Sequence, residues 1–249
     1  MTFLKSIVVT FSFFSTIPMP FINWEQKYFR YVPFILPFVG VVIGLGSYLV
    51  VELLGMLEVS NFLKSVVVCL YFILITGGLH LDALMDTCDA HFSRRDIDRK
   101  HEIMKDSRVG AFAVVGFFVL MMFKISVVYD LVGIADFKYY IIFVPIISRV
   151  YQAVMLYICP YALEEGIASL YKGVIKQYDL VIFALYMAIT VLIGHFIGVN
   201  LLILGSVGFV MMIWYRHFAI KQFRGITGDI IGAFLELTEV LLLASILFL

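Results

Sequence analysis

Apolar stretches long enough to cross a bilayer recur along this chain and leave it few other ways to fold. A spanning helix needs about 20 consecutive apolar residues. Such stretches run approximately over residues 31–54, 61–79, 109–130, 138–158 and 179–198, with two tighter ones at about 200–215 and 230–249. Hydrophobic residues make up 63% of the chain and charged residues 14%, whereas soluble domains average roughly 45–50% and 25%. The expected fold is an all-α, polytopic integral membrane bundle of about seven spans. Phe3–Ile22 reads as a re-entrant piece or an additional span, because Ser12, Ser15, Thr16, Pro18 and Pro20 interrupt it. Pro33 and Pro37 predict an irregular start to the first clear span. The opening residues lack a basic leader and a small-residue cleavage site, so a removable signal peptide is not expected. With no repeat or linker in view, residues 1–249 are read as one domain.

Charge assigns a sidedness. Lysine and arginine collect in Asn23–Arg30, His80–Arg108, Pro160–Tyr178 and Arg216–Gly228. The alternate connections, near Gly55–Ser60, Asp130–Phe137 and Val199–Asn200, contain none. Basic loops stay inside, so the charged connections are expected at the cytoplasmic face of the cell membrane. The 18 basic and 18 acidic residues cancel, which gives no reason to expect a nucleic-acid partner. Cys69, Cys88 and Cys159 lie in or beside apolar runs without metal-type spacing.

In a chain so poor in charge, chemistry should be sought where carboxylates gather. Gly77-Gly78-Leu79-His80-Leu81-Asp82-Ala83-Leu84-Met85-Asp86-Thr87-Cys88-Asp89 holds three aspartates at i, i+4 and i+7. At about 100° per residue they share one helical face. Like charges so placed repel, and carboxylates near lipid are costly, so a cation should compensate them. A divalent metal holding phosphates suits that need. After the triplet comes a charged loop running to Gly110, with Arg94, Arg95, Asp96, Asp98, Arg99, Lys100, Lys105, Asp106 and Arg108. Phosphoryl transfer requires metal-binding acids and cationic side chains, and this loop offers both. Asp96, Asp98 and Lys100 read better as salt-bridging residues of a solvated loop. Asp106 or Ser107 could cap the helix that follows.

Two further clusters stand out. Arg224-Gly225-Ile226-Thr227-Gly228-Asp229 leads through Gly232 and Ala233 to Glu236. Asp229 and Glu236 lie seven apart on one face, and Gly228 with Gly232 allows another helix to approach closely. The glycine-rich start of this helix also suits an anion, and a buried Glu236 demands a partner. The third cluster is Ser148-Arg149 with Gln152, a polar stripe in an apolar span. Arg149 could pair with an acid such as Glu236 or contact a ligand directly. Lys124, nearer a helix end, is expected to snorkel. The histidines, His80 and His91 among them, show no zinc spacing and carry less weight.

The two long motifs, Gly77–Asp89 and Glu102-Ile103-Met104-Lys105-Asp106-Ser107-Arg108-Val109-Gly110, resemble those of the cobalamin synthase family, the adenosylcobinamide-GDP ribazoletransferases. The resemblance extends to Ser148-Arg149, to Tyr161 with Glu164-Glu165-Gly166, to Thr227-Gly228-Asp229 through Glu236, and more loosely to Phe14–Pro20. Ala83, Ala90 and Arg224 stand where the family usually has glycine. The resemblance implies that a hydroxyl of α-ribazole, or of its 5′-phosphate, attacks the cobinamide-linked phosphate of adenosylcobinamide-GDP and releases GMP. It implies Mg²⁺ as cofactor, with Asp82, Asp86, Asp89 and Asp106 as its ligands, and leaves one of the triplet free to take the nucleophile's proton. Arg99, Lys105 and Arg108 are expected at the diphosphate or the departing GMP, and Arg149, Thr227, Asp229 and Glu236 at substrate. The partners expected are those two substrates and the lipid bilayer, with a homo-oligomer left open and no nucleic acid.

Two rivals are weaker. A CDP-alcohol phosphatidyltransferase would carry an Asp-Gly-x-x-Ala-Arg opening, which Asp82-Ala83-Leu84-Met85-Asp86 lacks. A transporter would suit the intramembrane Arg149 and Glu236, but the internal repeat common in such proteins is missing.

Overall fold

The computed structural model describes residues 2–249. They form ten α-helices and no β-strand: α1 (Thr2–Phe14), α2 (Val32–Met56), α3 (Asn61–Thr76), α4 (Leu79–Phe92), α5 (Ile97–Met104), α6 (Ala111–Leu131), α7 (Phe137–Ile158), α8 (Leu180–Phe196), α9 (Leu201–Phe223) and α10 (Gly228–Ile246). Five stretches are long and apolar enough to cross a membrane alone: α2, α6, α7, α8 with the short turn before it, and α9. Counting α3 and α4 as one broken span makes six.

The expected seven therefore resolve differently at two places. The run at 61–79 stops as α3 at Thr76, and the chain bends by 92° into α4. The run at 230–249 is α10, which carries Asp229, Glu236 and Glu239 and is buried along most of its length. The N-terminal segment is not an additional span. At 13 residues α1 is roughly 20 Å long, against a hydrocarbon core of about 30 Å. Just beyond it the Thr16 amide donates to the Ile75 carbonyl at 2.8 Å, fastening the segment to the end of α3. Pro33 falls in the first turn of α2, where its missing N–H costs nothing, after a 3₁₀ turn over Gln26–Arg30.

The central helix is α7, buried from Phe137 to Tyr157 on nearly every face. It meets α2 at backbone distance, because a methyl on Gly40 or Gly44 would run into the carbonyls of Pro145 and Ile142. The surrounding helices turn apolar side chains outward, among them Leu49 and Leu53 of α2, Phe118 and Val119 of α6, Leu185 and Ile189 of α8, and Val210 of α9. An outward apolar surface on this scale is stable only in lipid.

Inside the bundle four charges meet. Lys124 of α6 lies 3.3 Å from Glu236 and 3.8 Å from Glu239 of α10. Arg149 of α7, fully buried, donates to Glu239 at 2.8 Å and to the Pro145 carbonyl at 3.1 Å. Two cations face two carboxylates, which is how ionic groups survive at membrane depth. The expected Arg149–Glu236 pairing is thus replaced by Arg149–Glu239, and Lys124 is an internal residue that does not snorkel.

Candidate active site

The site begins where α3 ends. Gly77 and Gly78 both adopt left-handed backbone, with φ of 64° and 74°, a conformation that strains any residue bearing a Cβ. Their amides close the end of α3 onto Leu74 and Ile73, and the chain leaves at nearly a right angle as α4. That turn lays α4 across α10 and against the start of α6.

The aspartate triplet shares α4 as expected, but its members face different surroundings. Asp82 is exposed, and neither it nor Asp86 nor Asp229 has a hydrogen-bond or ion-pair partner for its side chain among the described residues. Charge on Asp82, Asp229 and Asp89 bears on Asp86, so the acids crowd one another electrostatically. Asp89 is spent elsewhere. Its two oxygens accept the amides of Gly110 at 2.7 Å and Ala113 at 2.9 Å, capping the N-terminus of α6. Of the three aspartates expected at the metal, Asp89 is the one whose oxygens are already engaged by backbone amides. No group of three or more His, Cys, Asp or Glu among the described residues closes into a metal cage. An Mg²⁺ site built from one or two carboxylates plus phosphate oxygens and water does not require one.

Two cavities meet at Asp229, and Asp82 lines one of them. A helix-lined cavity of about 110 Å³ lies between the end of α1, the start of α4, α7 and α10, with His80, Asp82, Gln152 and Asp229 on its wall. A loop-lined cavity of about 390 Å³ is bounded by His101, Lys105, Glu165, Thr227 and Asp229. Ile167, Ala168, Gly228 and Asp229 line both. The seam is held by a short pairing in which the Ile226 amide donates to the Pro160 carbonyl at 2.8 Å and the Ala162 amide to the Ile226 carbonyl at 3.0 Å. Thr227 caps α10 by accepting the Ile230 amide at 3.2 Å. The largest cavity, about 1090 Å³, is an apolar cleft between α4, α6, α9 and α10, and it offers almost no polar group to orient a substrate.

The cationic candidates divide as well. Lys105 lines the loop cavity, whereas Arg99 pairs with Glu102 on the exposed side of α5. Arg108 forks onto Asp106, with bonds of 2.6–3.2 Å. That bond holds the Asp106 carboxyl down to about 2, so it stays ionised and committed to Arg108. Asp106, expected among the metal ligands, pairs with Arg108 at the exposed surface and lines neither cavity. Arg149 and Glu236, expected at substrate, lie within the internal ion cluster and line neither of the two cavities. The loop residues expected to be structural are so: Asp96 caps α5, Lys100 donates to Gln222 at 2.8 Å, and Asp98 pairs with Arg224 at 2.6 Å. Arg224 itself ends α9 in left-handed backbone, with φ of 63°. That conformation explains why glycine suits its position.

Glu239 went unremarked in the sequence. Its signal was available, a second acid three residues after Glu236 on an apolar helix. His80 and Gln152 were noted but undervalued, since only the folded chain shows them lining a cavity beside Asp82.

A family model described as cobalamin-5-phosphate synthase matches residues 6–247. An adenosylcobinamide-GDP ribazoletransferase of Clostridioides difficile (strain 630) is 33% identical, over 98% of this chain and 97% of its own length. One of Clostridium botulinum (strain Alaska E43 / Type E3) is 31% identical, over 97% of this chain and 96% of its own. No solved structure gives a significant match.

Proposed function

The chain belongs to the cobalamin-5-phosphate synthase family, and from that premise we propose that it transfers the adenosylcobinamide-phosphate moiety of adenosylcobinamide-GDP to a hydroxyl of α-ribazole, or of its 5′-phosphate. The observation that carries this reading is the placement of unpartnered carboxylates at a junction of two cavities of different character: Asp229 lines both, Asp82 lines the helix-lined one, and Asp86 lies one turn along α4 from Asp82. A two-substrate transfer needs such a junction, with a donor phosphate arriving from one side and an acceptor hydroxyl from the other.

The acceptor oxygen forms a bond to the cobinamide-linked phosphorus while the bond from that phosphorus to the GMP oxygen breaks. Asp229, which lines both cavities, or Asp82, on the wall of the helix-lined one, takes the hydroxyl proton. Lys105 and the N-terminus of α10 at Gly228 face the loop cavity and balance charge on the phosphates. Asp82 and Asp86 would hold Mg²⁺ together with diphosphate oxygens, and the ion would supply charge neutralisation and alignment there. The crowding of unpaired acids fits such a guest. The basic loops around the site support a cytoplasmic placement at the cell membrane. Every group named comes from one chain, so the reading needs no second copy.

The test is turnover. Purified chain in detergent, supplied with adenosylcobinamide-GDP, α-ribazole and Mg²⁺, should release GMP and form a cobalamin in equal amounts. A folded preparation that releases no GMP with any divalent metal overturns the assignment.

A further inference from the structure

The helix-lined cavity holds polar atoms that the mechanism leaves idle. Both ring nitrogens of His80 and the Oε1 of Gln152 have no hydrogen-bond partner among the described residues, although each residue is only 2% exposed. Buried polar groups are almost always satisfied, so idle ones on a cavity wall point to a guest that satisfies them. The remaining wall is largely apolar, and the Phe14 ring stacks on His80 with centroids 5.9 Å apart and planes 13° from parallel. Phe14 thereby fixes the plane of the His80 ring, and the ring's nitrogens are left over for a guest.

Resting on the transferase reading, we propose that this cavity seats the aromatic base of the acceptor nucleoside, with His80 donating to the base's free ring nitrogen. Size argues first. About 110 Å³ corresponds to several waters at 10–15 Å³ each, room for a fused bicycle and far too little for a corrin. Polarity decides between the two bases. A benzimidazole whose second nitrogen carries ribose presents one acceptor on an otherwise apolar frame, which the N–H of a neutral imidazole meets, and the attached ribose brings the hydroxyl donors that the Gln152 Oε1 lacks. Guanine presents donors and acceptors along two edges and would strand most of them against Phe14, Leu79 and Leu156. Direction follows. With the base inside, the ribose falls at the mouth beside Asp82 and Asp229, its hydroxyl turned toward the cavity that holds Lys105 and Thr227.

The experiment varies each substrate separately in wild-type chain and in His80→Phe, which keeps the flat ring and loses the donor. KM for α-ribazole should rise about 10-fold, the loss of roughly one hydrogen bond, while KM for adenosylcobinamide-GDP stays within about 2-fold. An unchanged KM for α-ribazole, or a raised KM for adenosylcobinamide-GDP, overturns the proposal. On wild-type chain alone, free 5,6-dimethylbenzimidazole should compete with α-ribazole and not with adenosylcobinamide-GDP, and the reverse pattern also overturns it. Equilibrium dialysis of α-ribazole against both proteins separates the two readings. Wild-type binding that His80→Phe weakens, without GMP release, sinks the transferase reading and keeps the seat. GMP release with equal binding by both proteins sinks the seat alone.

Discussion

Asp82 and Asp89 stand seven positions apart on one helical face and do different work. Asp82 lines a cavity with its carboxylate unpartnered, while Asp89 has both oxygens occupied by the amides that open α6. Their asparagine and alanine variants should separate accordingly. Asp82→Asn and Asp86→Asn should cut kcat by at least about 10²-fold, the usual scale for a positioned acid or base, with thermal stability near wild type. Asp89→Ala should lower stability by about 0.5–2 kcal/mol through the lost cap. GMP release and thermal unfolding in detergent, measured on the same preparations, check both; equal kinetic damage from all three would refute the division. The spacing of the triplet was legible in the sequence because helix geometry is local. The fate of Asp89 was not, because its partners Gly110 and Ala113 lie more than twenty residues along the chain, and nothing in the spacing brings them back. His80 and Gln152 were opaque for the same reason, since an unsatisfied atom is visible only once every neighbour is in place.

At the scale of elements, the decisive contact is between α4 and α10. Gly232 lets the helices close until a Cβ there would stand 2.5 Å from the Ala83 methyl and 3.7 Å from His80. Gly228, its companion in the small-residue pair, meets nothing within 4 Å, so only one of the two glycines acts as a packing surface. Gly232→Ala should therefore destabilise by about 1–3 kcal/mol, the usual cost of overpacking. Adding Ala83→Gly, which removes the methyl it strikes, should restore most of the loss. Thermal unfolding of the single and double variants tests this, and additive losses would rule it out. Hydropathy located the apolar runs of α2, α6, α7, α8 and α9 because burial in lipid and apolar composition are the same fact. It could not see the bend after α3, which resides in two backbone angles of Gly77 and Gly78. Nor did it separate α5 from the charged loop, since that helix is eight residues long and docks through Lys100 and His101.

Across the whole molecule, α6, α7 and α10 are joined by a balanced set of buried charges, Lys124 and Arg149 against Glu236 and Glu239. Removing one member strands another. Glu239→Gln should destabilise by about 3–5 kcal/mol, because Arg149 then keeps its charge without its acid. The pair exchange Arg149→Met with Glu239→Leu leaves Lys124 facing Glu236 and should recover much of that loss. The yield of monodisperse protein and its melting temperature report the outcome; an exchange as damaging as the single change would mean the charges act individually. The same cluster sets an order of assembly. A ribosome delivers Arg149 to the membrane 90 residues before Glu239, and Lys124 112 residues before Glu236. During that interval two cations await acids that have not yet been synthesised, and lipid offers them no substitute. The nascent α6 and α7 must then stay in a wetter or protein-lined setting until α10 arrives, so the helix that neutralises the cluster is also the one that brings Asp229 to the site.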